Sequence, residues 1–588
     1  MKNLTTAVFF ILTAFNLFAG KDDMKISYEL NFDQPNSHLM IVTMTASGVD
    51  AKTVDFAIPA WRPGRYAIQN YSRLIQEFSA VDQNKNKLNF KKVDKDTWRV
   101  TTNGATTVSV SYKFFAYILD AGSTWYNEEE IYFNGVNLFM YIPEYKHLPV
   151  NLTINSPENW TIATGLTKTG NKTFSAPNYD DFADCPTIIS PTVKHEMVTV
   201  NGTNIHVWVQ GETNADLKTF AADIEKMAKV QFEFWGYVPF KEYHFLFHFF
   251  DKPFSHGVEH KNSTSICVGP LKDMPNPQDF SRIHGVTSHE LFHAWNIKTL
   301  FPDKIGPTFD YTKENYTDLL YFSEGFTSYY GDYLLIKAGL LTEEKYFASQ
   351  AKDMRSYELT PGNSIQTLAE SSQDAWLTGY GYDGSRNKLV NFYGKGELLG
   401  LLLDLEIRAA TSNKKTFGDV MRSLYNDFAK KNKGFTTEDF VKALNSVSGK
   451  DMSGLINDYV YTIKPFDFKS AFAKNGFTLT TEPDNNSIEF ATGMSLRKSD
   501  NKWMVSNVIP GSAAYKAGVD MGDFILGFND KGLPDSDQEK WFTDLKNPET
   551  IKVSGIRRGK SITFNLTGLN YSNVKYSISR NADNTKTW

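Results

Sequence analysis

The run His289-Glu290-Leu291-Phe292-His293 sets two imidazoles four residues apart. On a helix, side chains at i and i+4 stack one turn apart on one face, so both rings can reach a single ion. Zinc takes nitrogen ligands at about 2.0–2.1 Å, and a site that does chemistry keeps three protein ligands and leaves the fourth position to water. Glu290 points off the metal, where its carboxylate can take a proton from that water. The pattern is short, and two core histidines would produce it as well, so its surroundings decide.

Those surroundings favour a helix, with Thr287 and Ser288 available to cap it and Leu291, Phe292, Ala294 and Trp295 giving it a buried side. A third ligand should come from a second helix facing the first. Residues 315–335 form the next strongly periodic segment and carry Ser323-Glu324-Gly325-Phe326-Thr327. Glu324 lies among apolar residues, and an unpaired buried carboxylate costs several kcal/mol that coordination removes. The alternative is a partly exposed Glu324. The ligand set expected is His289, His293 and Glu324 around one zinc ion, with Glu290 as general base.

Domains must position these residues. At 588 residues the chain exceeds what one core supports, roughly 250–300 residues. From about residue 26 to 193, short alternating runs broken by Asn, Asp, Gly and Pro read as an antiparallel β-sandwich. From about 201 the period moves toward 3.6, with helices expected at 395–409, 416–430 and 436–447, the last capped by Thr436 and Thr437. After 474 short strands return. The expected division is a signal peptide at 1–20, a sandwich at 21–193, a catalytic domain with a helical subdomain at 194–474, a third domain at 475–572 and a polar tail at 573–588.

Apolar residues make up 41% and charged residues 22%, the balance of a folded globular chain, and a net charge of −5 without basic blocks argues against nucleic acid as a partner. The charged start, the apolar run from Ala7 to Phe18 and the exit at Ala19-Gly20 read as a secretory leader, shorter than the roughly 20 residues a membrane span needs. Export to a periplasm or the extracellular space is expected, with no membrane span left once the leader is removed. Cys185 and Cys267 are read as two buried thiols rather than as a disulfide framework.

His289 through Lys298, and Ser323-Glu324-Gly325-Phe326-Thr327-Ser328-Tyr329-Tyr330, resemble the thermolysin-like zinc peptidases and, more closely, the glycyl aminopeptidase family with a C-terminal PDZ domain. Gly257-Val258-Glu259-His260 resembles that family's Gly-Gly-Leu-Glu-His strand, with His256 and Val258 departing from it. Trp61-Arg62-Pro63-Gly64-Arg65-Tyr66 resembles its N-terminal signature. The resemblance implies a multidomain α+β protein: an N-terminal β-sandwich, a thermolysin-like catalytic domain and a PDZ domain. It implies that Gly257, Val258, Glu259 and His260 bind a peptide substrate, with Glu259 on the free amino group. It implies release of N-terminal Gly or Ala, and that Tyr393, in Tyr393-Gly394-Lys395-Gly396, donates to the oxyanion. Gly493-Met494-Ser495-Leu496 would form the PDZ loop that captures a peptide C-terminus. The rivals are a zinc endopeptidase and a non-catalytic PDZ-containing scaffold.

Overall fold

The computed structural model describes residues 24–378, 381–483, 487–536, 538–570 and 574–582; the expected leader lies outside the described residues. Strict alternation builds the N-terminal domain. Leu39–Ser47 and Thr107–Phe115 bury every second residue, and Met40, Val42, Met44, Val108, Val110 and Phe114 fill one core. Its seven-stranded sheet runs Thr167–Gly170, Thr173–Ala176, Val150–Ile154, Lys25–Phe32, Leu39–Ser47, Thr107–Phe115, Ile75–Asp82. A four-stranded and a three-stranded sheet complete this region. The expectation of a wholly antiparallel domain needs one correction, because Lys25–Phe32 pairs in parallel with Val150–Ile154. A parallel pair needs a long crossover, and here most of the domain supplies it.

At Lys194 a five-stranded sheet begins, ordered Lys194–Val200, Thr203–Gln210, Glu242–Phe249, Ser263–Gly269, Phe254–Glu259. Phe254–Glu259 is antiparallel to its neighbour and forms the edge. The helix Leu217–Trp235 covers the sheet, started by Asp216, whose side chain accepts from the backbone of Lys218 and Thr219, and stopped by Gly236 in the left-handed region. The helices Ser281–Phe292, Phe326–Lys337 and Phe392–Ala410 share one large core with this sheet. The helical subdomain continues with Phe417–Asp427 and Thr437–Ser448, where Thr416 and Thr436 each form a capping box with the aspartate three residues on.

The third domain has its own small core around Met494, Val505, Ile525, Phe528, Ile551 and Val553, under the sheet Met494–Ser499, Lys502–Val508, Phe524–Phe528, Thr550–Arg557, Lys560–Thr567. Gly493 to Leu496, the residues expected to capture a peptide C-terminus, lie at a helix–strand junction. Gly493 ends the helix Ile488–Thr492 with φ of 78°, and Met494, Ser495 and Leu496 already lie in a strand. The expected polar tail is also corrected in part: Val574–Arg580 pairs along Phe477–Pro483, and Tyr576 and Ile578 pack on the catalytic core. Arg580 holds Glu343 at 2.7 Å. Cys185 and Cys267 are buried and free. Among the described residues no helix is long and apolar enough to cross a membrane.

Candidate metal centre

The helix carrying His289 starts at Ser281, six residues before Thr287, so Thr287 and Ser288 are not its caps. Both are buried inside it: Thr287 Oγ1 donates to the Ile283 carbonyl, and Ser288 Oγ donates to that of Gly331 on the facing helix. The second bond joins the two helices beside His289. Glu324 occupies a single π-type turn, Tyr321–Gly325, just ahead of Phe326–Lys337, a local widening common at functional sites. A Cβ on Gly325 would lie 2.4 Å from the Gly396 Cα. That glycine–glycine crossing brings the start of the helix Phe392–Ala410, and with it Tyr393, to the cavity.

Here His289 Nε2 and His293 Nε2 face each other at 3.0 Å, and Glu324 Oε2 lies 3.7 and 3.3 Å from them. Each ring is oriented through its other nitrogen. His293 Nδ1 sits 2.7 Å from the Asn296 carbonyl, which fixes the proton on Nδ1, and His289 Nδ1 is 3.4 Å from Ser328 Oγ. Both Nε2 lone pairs are thereby turned toward the shared space. Glu290 and Glu259, both buried, stand around the same histidine, His293. Glu290 Oε2 is buried with no hydrogen-bond partner.

The electrostatics fit a site for a cation. Burial pushes the Glu290 carboxyl up to about 8, with the nearby charges of Glu259 and Glu324 adding to the effect. Burial alone would lower His293 and raise Glu324. Their mutual attraction outweighs it, taking His293 up to about 10 and Glu324 down to about 2. Three buried carboxylates around two imidazoles are costly without a divalent ion. The two nitrogens and one carboxylate oxygen form the donor set of zinc, in the number that leaves one position open.

A cavity of about 460 Å³ surrounds this cluster, lined also by Gly64, Ser255, His256, Gly257, Glu259, Gly285, Ser328, Asp332, Tyr393 and Glu397. Along Phe254–Glu259 successive side chains alternate in direction, and this splits the expected substrate strand. Gly257 and Glu259 line the metal cavity. Val258 is buried in a small cluster with Ala121 and Cys267. His260 turns to Asp184, 3.2 Å away, as does Lys298 at 2.7 Å. Gly257 makes room for Glu290, since a Cβ there would overlap its Oε1.

Sequence reasoning missed Asp332 and Glu397. Burial and the charge of Asp353 raise Asp332 to about 6, while burial, Asp332 and Asp353 raise Glu397 to about 8. The missed signal was spacing: each lies one helical turn after a cavity residue, Ser328 or Tyr393. The loop Trp61–Tyr66 of the N-terminal domain also reaches the site. A Cβ on Gly64, whose φ is +77°, would lie 2.5 Å from both Glu259 carboxylate oxygens.

Residues 27–191 match the model of the peptidase M61 N-terminal domain, and residues 282–399 match that of M61 glycyl aminopeptidase. The crystal structure of an aminopeptidase N family protein from Idiomarina loihiensis superposes with a TM-score of 0.87 at 26% identity, over 94% of this chain and 98% of that one. A mutant M1 zinc metallopeptidase from Deinococcus radiodurans aligns with a TM-score of 0.46 at 14% identity, over 74% of this chain and 94% of that one. The Protein Scribble homolog let-413 of Caenorhabditis elegans is 26% identical over 185 residues, 28% of this chain; the chain spans 25% of that relative's length.

Proposed function

We propose, for a chain that belongs to the M61 peptidase family, that it is a zinc-dependent aminopeptidase releasing glycine or alanine from the N-terminus of peptides. His289, His293 and Glu324 hold the ion. When bound, zinc supplies Lewis acidity, acidifying water and polarising the scissile carbonyl. Glu290 takes the proton of the attacking water and returns it to the leaving amine, a role suited to a buried carboxylate beside His293 with one oxygen unpartnered. Tyr393, on the cavity wall, donates its phenolic hydrogen to the oxyanion.

The observation that carries the end-specificity is Glu259. It is 6% exposed, lies beside the metal donors and is backed by Gly64, so a substrate's ammonium meets a buried carboxylate on the cavity wall. The close approach of Gly64 to that carboxylate, which leaves no room for a Cβ, supports a preference for small first residues. Glycyl and alanyl dipeptide amides should be cleaved and their N-acetylated forms should not. Glu259→Gln should raise KM by roughly 10–100-fold, the worth of a charged hydrogen bond. Equal cleavage of free and acetylated substrates would instead make the enzyme an endopeptidase.

Two further readings are proposals of the same kind. The apolar run Ala7 to Phe18 supports export, to a periplasm or beyond the cell. The strand Met494–Ser499 ends its sheet and pairs on one side only, which supports a PDZ-like domain that takes a peptide as an added strand.

A further inference from the structure

We infer that Tyr66, from the N-terminal domain, is a positioning residue for the metal ligand Glu324, and that the loop Trp61–Tyr66 thereby makes the N-terminal domain a working part of the catalytic centre. The inference rests on the assignment of Glu324 as a zinc ligand. Glu324 turns Oε2 toward the two imidazoles. Its other oxygen, Oε1, accepts a hydrogen bond from the Tyr66 hydroxyl at 3.4 Å. A carboxylate held by a donor on one oxygen presents the other in a fixed direction, and such outer contacts set ligand geometry nearly as firmly as the ligands do.

Tyr66 is itself held. It is 6% exposed, with its ring edge-on to Trp376 and Phe392 at 6.1 and 6.3 Å. Trp61 Nε1 donates to the Asp310 carbonyl, and the Ala60 amide donates to that of Tyr311. Two more contacts leave the same loop toward the site. Gly64 packs on the Glu259 carboxylate, and the buried Arg62 lies 3.5 Å from His256 Nε2 on the cavity wall.

Two tyrosines therefore stand near the ion in different places. Tyr393 lines the metal cavity; Tyr66 does not, and lines instead a neighbouring cavity of about 530 Å³ that shares Gly64 and Glu259 with it. From behind Glu324 its hydroxyl acts through the ligand rather than on substrate.

The test is Tyr66→Phe in the full chain, which keeps the ring and its packing and removes only the hydroxyl. Zinc affinity is read by competition with a chromophoric chelator, the ligand field by the visible spectrum of the cobalt-substituted protein, and folding by thermal unfolding of the metal-free protein. The expected result is zinc binding weaker by roughly 10–100-fold, an altered cobalt spectrum and an unchanged metal-free melting temperature. Tyr393→Phe should leave zinc affinity as it was. Wild-type zinc affinity and cobalt spectrum in Tyr66→Phe overturn the inference. If Glu324→Gln also binds zinc like wild type, the metal assignment itself falls; if only Glu324→Gln weakens binding, the assignment stands and the role of Tyr66 is refuted.

Discussion

Among the described residues, two groups of two histidines and one glutamate lie in the catalytic domain, and one of the two is built to hold an ion. His289 and His293 face Glu324; His206 and His244, paired across neighbouring parallel strands, face Glu242. Both pairs have ring centroids 4.6 Å apart, but the planes cross at 84° in the first and 7° in the second. A ring nitrogen's lone pair lies in the ring plane, so two rings share an ion only where their planes intersect. Stacked parallel planes do not meet.

The tautomers differ as well. His293 Nδ1 faces a carbonyl, leaving Nε2 free for metal, whereas His244 Nδ1 accepts from Trp208 Nε1 at 3.2 Å, which places the ring proton on Nε2. Charge tells the same story. Burial and the neighbouring His244 and His195 take His206 down to about 4, so its imidazole is neutral near pH 7, beside a half-exposed Glu242. The first group collects buried charge that a cation must offset. Donor type and proximity alone did not separate the two; ring orientation and the far-side hydrogen bond did.

The largest effect expected is at the ligands. Glu324→Ala should lose its zinc and with it all hydrolysis, measured by metal analysis and a glycyl-amide assay, whereas His206→Ala and His244→Ala should keep one zinc per chain and full rate. A second tightly held equivalent that disappears in His206→Ala would break the comparison.

A smaller effect is expected where the protein supplies its own cation. Burial alone would raise Asp184, but Lys298 and His260 outweigh it and hold the carboxyl well below its usual range. A depressed carboxylate adds stability above its unfolded value near 3.9, and that stability is lost as pH falls through the folded value. Asp184→Asn should therefore cost about 3 kcal/mol near neutrality, with zinc content unchanged, and its melting temperature should start to approach that of wild type only as pH falls below about 4, where the unfolded carboxyl protonates. A gap that stays constant down to pH 2 would contradict the pairing.

Much of the site was legible because a helix converts spacing into geometry. His289 and His293 at i and i+4 needed no tertiary knowledge, and the apolar setting of Glu324 already argued for a partner. The start of the helix was misplaced because Thr287 and Ser288 have the chemistry of caps, while their hydroxyls actually serve carbonyls within the fold. The strand residues Gly257 to His260 were taken as a block, although alternation turns Val258 and His260 away. What could not be read locally was long-range: the parallel pairing of Lys25–Phe32 with Val150–Ile154, the return of Val574–Arg580 to Phe477–Pro483, and the arrival of Tyr66 and Gly64 from another domain.

The most direct test of the whole account is the rate of glycyl-amide hydrolysis by Glu290→Gln at full zinc occupancy. The substitution keeps the side chain's shape against Gly257 and removes only its capacity to carry the proton. Zinc should remain at one per chain while kcat falls by roughly 10²–10⁴-fold. Hydrolysis at the wild-type rate with zinc retained would contradict it.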